Sequence, residues 1–374
     1  MAVLAANDRA MTSRRHFSVF SVAFEVTRQN NLCPKTIWSE LEPVSTFQPF
    51  TVKQHDLTFE EVVCILKKIE NSGTPSVLLQ GGEFFLRDDS LEILREARKR
   101  FLTEVLTNAT LINDEICETI RKLNVDVIAY APSFSKQLYE SLNQRPGAYS
   151  RLITGIRRLV DSEVKLIFLV PVTRPLVRNI EETVTTIRNC GGRVIKFTLY
   201  PGSGYGHKFR RELSLSRLES LEAIYKIERL REIHNSNLKV YHSFVAPYVP
   251  NDACFGSYAI DSHGNVMPCA YLRIAYGNIL KENVSKIHRR ITREVFNEAG
   301  GEVGPPAECS GCGIVSPLTG APCKGGCRCL AYNLYGDLGG PDWGCPYLSL
   351  RLLRGEKNRA SLFRGKSNSS NPTH

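Results

Sequence analysis

The segment Ser76-Val77-Leu78-Leu79-Gln80-Gly81-Gly82-Glu83 is a short apolar run that stops at a glycine pair. Ser76 to Leu79 has the length of a buried strand, and the glycines supply the backbone freedom for an abrupt turn at its end. Just before it, Leu57 to Ile69 has helical periodicity, opened by Thr58 with Glu61 three residues on, the reciprocal pattern of a capping box. Working outward, strand-like runs recur at Phe17 to Val26, Thr103 to Leu106, Val125 to Tyr130, Lys165 to Val170 and Val194 to Leu199. Helical stretches such as Ser90 to Lys99 and Asn179 to Arg188 stand between them. This alternation predicts parallel βα units, and six of them fit an α/β fold with a partial TIM-like barrel. A long helix from Ser214 to His234 closes that part. In such barrels the ligand site lies at the C-terminal strand ends. Thr27 to Trp38, Gly81 to Glu83, Thr107-Asn108 and Tyr200 to Gly206 are therefore expected around one mouth.

With 374 residues and 42% hydrophobic content, the chain can bury a large core. No window approaches the roughly 18 apolar residues of a membrane-spanning helix. The formal charge of +10 invites a nucleic-acid reading, but half of the excess sits in residues 351–374, where Arg351, Arg354, Lys357, Arg359, Arg364 and Lys366 face only Glu356. A basic tail of that composition is expected to be largely disordered, and nucleic acid is not the expected partner. Met1 to His16 has no apolar stretch long enough for a signal peptide, so a reducing cytoplasm is expected and disulfides are disfavoured.

Twelve cysteines must then be explained otherwise. Seven of them, Cys254, Cys269, Cys309, Cys312, Cys323, Cys327 and Cys345, crowd the C-terminal third, with Gly264, Gly311, Gly313, Gly325 and Gly326 between them. Soft thiolates converging from glycine-rich turns suit iron-sulfur clusters. A four-cysteine zinc site and buried free thiols remain open alternatives. Elsewhere, Glu40, Glu42, His55 and Asp56 are spaced too irregularly for a metal site and read as a solvated loop. Pro201 to His207 is a glycine-rich loop that lacks the ending of a phosphate loop. The histidines have no HExxH spacing and no GxSxG elbow occurs, so a hydrolase has no support.

Taken in order, these features resemble the radical S-adenosylmethionine (SAM) superfamily with a C-terminal SPASM domain. The match to SPASM covers Cys254, nine residues, Gly264, four residues and Cys269, then Cys309-x2-Cys312, Cys323-x3-Cys327, and Cys345 after seventeen more. One interval, the ten residues between Cys312 and Cys323, is longer than the family's. The resemblance implies two auxiliary [4Fe-4S] clusters, one held by Cys254, Cys269 and Cys327 and one by Cys309, Cys312, Cys323 and Cys345. The first lacks an assigned fourth ligand, a role open to Cys329, to substrate or to a partner. Gly81-Gly82-Glu83 looks like the family's GGE element, which holds the amino group of SAM, and Thr107-Asn108 like its later Thr-Asn strand end.

The resemblance breaks at the loop Thr27 to Trp38, where the family needs CxxxCxxC. Aligned on Thr27-Arg28, Asn31-Leu32 and Trp38, the three cysteine positions are occupied by Asn30, Pro34 and Ile37. Cys33 is the loop's only cysteine and stands one residue out of register. The chain is therefore expected to hold no catalytic radical cluster. The expected domains are a tail over 1–16, a radical-SAM-like partial barrel over 17–245, a SPASM iron-sulfur domain over 246–350 and a basic tail over 351–374. The expected function is that of a degenerate partner or scaffold in maturation of a peptide or protein, beside a complete radical SAM enzyme. The alternatives are a SAM-binding enzyme with non-radical or redox chemistry, and a zinc-stabilised binding module.

Overall fold

The computed structural model describes residues 19–44, 46–47, 56–234, 236–243, 256–295 and parts of 306–350. Cys254, His55, Pro247, Pro250 and both expected tails lie outside the described residues. The first strand, β1 (Ser21–Glu25), is followed by α1 (Phe59–Asn71) and β2 (Ser76–Gln80). The capping box at the start of α1 is formed: Glu61 N–H donates to Thr58 Oγ1 at 3.2 Å and Thr58 N–H donates to Glu61 Oε2 at 2.9 Å. Two otherwise orphaned amides are thereby satisfied, which is why the helix starts there. Val62, Ile65, Leu66 and Ile69 form its buried face at the spacing of a helical stripe.

The alternation continues through α2 (Ser90–Arg98), β3 (Leu102–Thr107), α3 (Asp114–Leu123), β4 (Asp126–Tyr130), α4 (Lys136–Asn143) and α5 (Ala148–Asp161). Then come β5 (Leu166–Val172), α6 (Ile180–Asn189), β6 (Val194–Leu199), α7 (Arg217–His234) and β7 (Lys239–His242). Each strand from β1 to β7 pairs in parallel with the next, in sequence order, as a run of crossover connections requires. The six expected strands are all present, and β7 follows beyond them.

The C-terminal third joins the same sheet. Strand β8 (Ser257–Ile260) pairs in parallel with the free side of β1, with Ser21 opposite Ser257 and Phe24 opposite Ile260. It continues into an antiparallel meander of β9 (Asn265–Met267) and β10 (Gly277–Asn278). The spatial order is β10-β9-β8-β1-β2-β3-β4-β5-β6-β7, a partial barrel of parallel strands with two antiparallel strands on one edge. Helices α8 (Val284–Val295) and α9 (Arg328–Tyr335) follow. The strands between Ser257 and Asn278 are thus joined to the barrel by backbone hydrogen bonds. Among the described residues no helix is long and apolar enough to cross a membrane.

Candidate functional site

The loop after β1 is threaded against the turn after β2. Gly82 N–H donates to Thr27 O and Glu83 N–H to Gln29 O, both at 2.8 Å. This closeness explains the glycine pair: a Cβ on Gly82 would stand 2.3 Å from Gln29 O, and one on Gly81 2.7 Å from Thr27 O. Neither contact is tolerable, since backbone oxygens cannot move aside as a flexible side chain does. Arg87, buried just beyond, binds Val26 O at 2.8 Å and Leu57 O at 2.9 Å and pins the base of the loop.

Asn30, Pro34 and Ile37 line one wall of a narrow cleft at the strand ends, with Gly82, Asn108 and Tyr130 also in its lining. The residues aligned with the missing cysteines therefore do gather at the mouth. Their chemistry is that of amide and hydrocarbon. Asn30 Nδ2 donates to Gly82 O at 2.5 Å and its Oδ1 accepts from Leu32 N–H at 2.8 Å. Asn108 Nδ2 donates to Asn31 Oδ1 at 2.9 Å, and Asn31 Nδ2 donates to Thr110 Oγ1 at 2.8 Å. Cys33 contacts Tyr205 Oη at 3.3 Å and is not among the cleft-lining residues. This donor set has no thiolate in the cleft and does not fit an iron-sulfur cluster.

Glu83 is fully buried, and its carboxylate accepts from Thr107 Oγ1 at 2.7 Å, Asn108 N–H at 2.7 Å and Phe85 N–H at 3.2 Å. Burial pushes its pKa up to about 7, and the bonds from Asn108, Thr107 and Phe85 only partly offset that. The Gly-Gly-Glu turn and Thr107-Asn108 do meet, then, but their polar groups are largely spent on one another and on the loop.

The remaining mouth elements are partly tied down within the chain, while Gln29 Nε2, Thr36 Oγ1, Ser39 Oγ and Ser203 Oγ are buried without a partner among the described residues. Tyr205 N–H donates to Ser39 O and Gly206 N–H to Ile37 O, both at 3.0 Å, so these amides of the glycine-rich loop do not form a phosphate cradle. Instead Tyr200, Pro201 and Gly202 form a second cleft against Leu330 and Asn333 of α9. Glu40 and Asp56 both pair with Arg28, at 3.5 and 4.0 Å; Glu40 is solvated as expected, but the Asp56 side chain is nearly buried and also accepts from Thr27 Oγ1.

The cysteines form two groups. In the first, Cys269 Sγ lies 3.0 Å from Cys329 Sγ, and Cys329 also hydrogen-bonds Cys327. Backbone N–H groups of Tyr271 and Leu272 donate to Cys269, and Arg273 adds positive charge, so after Cys329 these lower the Cys269 pKa while burial opposes them. In the second, burial and then Cys345, Cys323 and Cys312 push the Cys309 thiol up to about 12. Cys323 packs against the cluster of Cys345 and Leu348. Crowded thiols resist joint ionisation, and a polycationic centre would reverse that resistance. Among the described residues no three His, Cys, Asp or Glu side chains are arranged around a single ion. Thiolates of a four-iron cluster each bind a separate iron, so they need not share one centre, and both groups fit such a cluster in donor type.

Three features were missed by sequence reasoning. The first is the asparagine network, whose partners lie 77 to 79 residues apart. The second is a buried ion pair, Arg273 to Glu25 Oε1 at 2.6 Å, joining the Cys269 segment to the end of β1. The third is an aromatic cluster in which Trp38 meets Tyr130 and Tyr271 edge-on, at 5.2 and 5.4 Å between ring centroids. Tyr271 is close enough to feel the charges of Cys269, Cys327 and Cys329, so the cluster spans the space between the first cysteine group and the cleft. Only Trp38 carried a sequence signal, as the aromatic residue ending the loop.

Residues 35–190 match the Radical SAM superfamily model. The match begins inside the loop, beyond Asn30 and Pro34. The chain is similar to an AdoMet-dependent heme synthase of Methanosarcina barkeri (strain Fusaro / DSM 804), 24% identical over 77% of this chain and 86% of that one. It is also similar to a PqqA peptide cyclase of Gluconobacter oxydans (strain 621H), 26% identical over 75% of this chain and 79% of that one. Its fold is that of Streptococcus suis SuiB, solved bound to precursor peptide SuiA, with a TM-score of 0.66 at 15% identity, covering 87% of this chain and 75% of that one. Residues 35–190 thus resemble the Radical SAM superfamily, within a partial-barrel fold like that of SuiB.

Proposed function

We propose that this chain is a degenerate radical SAM/SPASM protein that generates no radical and serves as partner or scaffold in the maturation of a peptide or protein. A complete radical SAM enzyme would supply the radical chemistry. The observation that carries the reading is the lining of the cleft: Asn30, Pro34 and Ile37 occupy the aligned cysteine positions, and Asn30 is bonded to Gly82 O. A peptide as substrate draws support from the peptide cyclase among the relatives and from the precursor peptide bound by SuiB.

Cys254, Cys269 and Cys327 would hold one auxiliary cluster, and Cys309, Cys312, Cys323 and Cys345 the other. When bound, such clusters supply one-electron transfer. The chain's own residues do the rest. Tyr271 N–H and Leu272 N–H steady the Cys269 sulfur, Arg273 neutralises Glu25 at the barrel mouth, and the Trp38 cluster separates the cleft from the cysteines. The SAM-binding alternative rests on Gly81, Gly82 and Glu83, of which Gly82 and Glu83 already have their polar groups engaged.

The deciding experiment is iron, sulfide and zinc analysis of anaerobically reconstituted protein, together with a titration with SAM and an assay for 5′-deoxyadenosine under reducing conditions. About eight irons per chain and no deoxyadenosine are expected. About twelve irons, or deoxyadenosine formed at a catalytic rate, would overturn the degenerate reading. Zinc without iron would reduce the C-terminal region to a structural binding module.

A further inference from the structure

Helix α7 is apolar on two faces. Its inner face, Ser220, Ala223, Ile227 and Leu230, is buried against the barrel. Its outer face carries Leu218, Tyr225 and Ile233, which are 61%, 68% and 60% exposed. Single exposed apolar residues are ordinary on a protein surface, but these three recur about every two turns and form one stripe. Glu222 and Arg229 are exposed on the same stripe, one on each side of Tyr225. Among the described residues Glu222 pairs only with Lys226 of its own helix, at 3.0 Å, and Arg229 has no ion pair. Leu218 and Ile233 are equally far along the chain from a point between Tyr225 and Lys226, and so are Glu222 and Arg229. The stripe is therefore complementary to itself when reversed. Laid antiparallel on a second α7, Leu218 faces Ile233, Glu222 faces Arg229, and the two Tyr225 side chains meet beside the two-fold axis.

We propose that the outer face of α7 is the surface through which two copies of this chain associate, as an antiparallel α7 pair. The occupant is a second copy because the stripe matches itself in both apolar contacts and charge, and each Glu222–Arg229 contact occurs twice by symmetry. The proposal goes beyond the function proposed above and does not depend on cluster content. The stripe runs about 22 Å from Leu218 to Ile233. A helix pair of that length covers less than the roughly 800 Å² per partner of a standard interface, so the association is weak and shows itself at micromolar or higher concentration. Helix α7 follows β6 and starts at the mouth end of the barrel, so antiparallel pairing points the two mouths in opposite directions and leaves both accessible.

The test is sedimentation velocity of reconstituted full-length protein over a series from low micromolar to submillimolar concentration. Wild type is expected to pass from monomer to dimer across it. Tyr225→Ser, Glu222→Arg and Arg229→Glu should each weaken association about tenfold or more. An equimolar mixture of Glu222→Arg with Arg229→Glu should dimerise again, because unlike charges then meet at both contacts although neither variant pairs well with itself. All three positions are exposed, so the fold should survive, and circular dichroism checks it. Should either charge variant not fold, Tyr225→Ser decides alone. A wild type that stays monomeric throughout would overturn the proposal and leave the stripe to a different protein partner. A dimer that none of the variants weakens would also overturn it, since the contact would then lie on another surface. So would a mixture that associates no better than its separate components.

Discussion

The barrel mouth and the cysteine-rich region sit on one continuous sheet, yet they solve the problem of buried polarity in opposite ways. At the mouth, Asn30, Asn31, Asn108, Thr107, Thr110 and Glu83 satisfy one another, and donor and acceptor are mostly paired within the chain. In the C-terminal region thiols crowd together: burial pushes the Cys309 thiol up, and the bonds from Cys269 and Cys327 push Cys329 up, so that crowding opposes their joint ionisation. The first arrangement is close to complete as it stands, because Asn30, Asn31 and Asn108 find partners within the chain, although Gln29 Nε2 and Gln80 Nε2 are buried without one among the described residues. On the reading proposed above, the second would be completed by a metal centre supplied from outside. On that reading, one scaffold would lack metal chemistry at one end and keep the demand for it at the other.

The largest effect that sharpens this contrast is expected at the link between the two regions. Arg273→Met would leave Glu25, buried at the end of β1, without its cation, and should cost about 3–5 kcal/mol in chemical denaturation. The double variant with Glu25→Gln should recover much of that loss. A cost below about 1 kcal/mol for the single variant would mean that the pair does not hold the regions together.

Next in size is a pH effect confined to the mouth. Glu83 has a folded pKa of about 7, above the ordinary 4.5, so the folded state holds a proton that the unfolded chain has released. Its contribution to stability is full below pH 4.5 and is lost as pH rises to about 7, amounting to about 3 kcal/mol. Glu83→Gln should flatten that part of the stability–pH curve, measured by denaturation at a series of pH values. An unchanged slope would show that the carboxylate is not buried as described.

Gly82→Ala tests how tightly loop and turn are pressed together. The new methyl would meet Gln29 O, and a loss of about 1–3 kcal/mol is expected, with iron content unchanged. The smallest effect should come from Asn30→Ala, which removes the bond to Gly82 O and should cost about 1 kcal/mol without altering iron content. Loss of iron in either variant would erase the contrast, because it would tie a cluster to the mouth.

Much of the barrel is legible in the sequence because strand and helix periods are local. Val194–Leu199 appears as read, and the α1 cap follows from Thr58 and Glu61 alone. Helix α7 starts at Arg217 and not at Ser214, because Ser216 caps it through its hydroxyl and Glu219. The absence of three thiolates in the Thr27 to Trp38 loop was equally legible, since residue type settles it. What that loop does instead was not, because Asn30 finds Gly82 O across 52 residues and Asn31 finds Thr110 across 79.

The order of βα units, the capped first helix, the cysteine spacing and the want of CxxxCxxC were determined by the sequence by itself, because each depends on residue type at short, fixed separations. The tertiary structure alone decided that β8 lies beside β1, that Arg273 reaches Glu25 across 248 residues, and that Cys329 stands against Cys269. The physical reason is range: backbone geometry repeats every few residues and writes itself into the sequence, whereas contacts between distant segments depend on how whole elements pack and carry no fixed spacing to read.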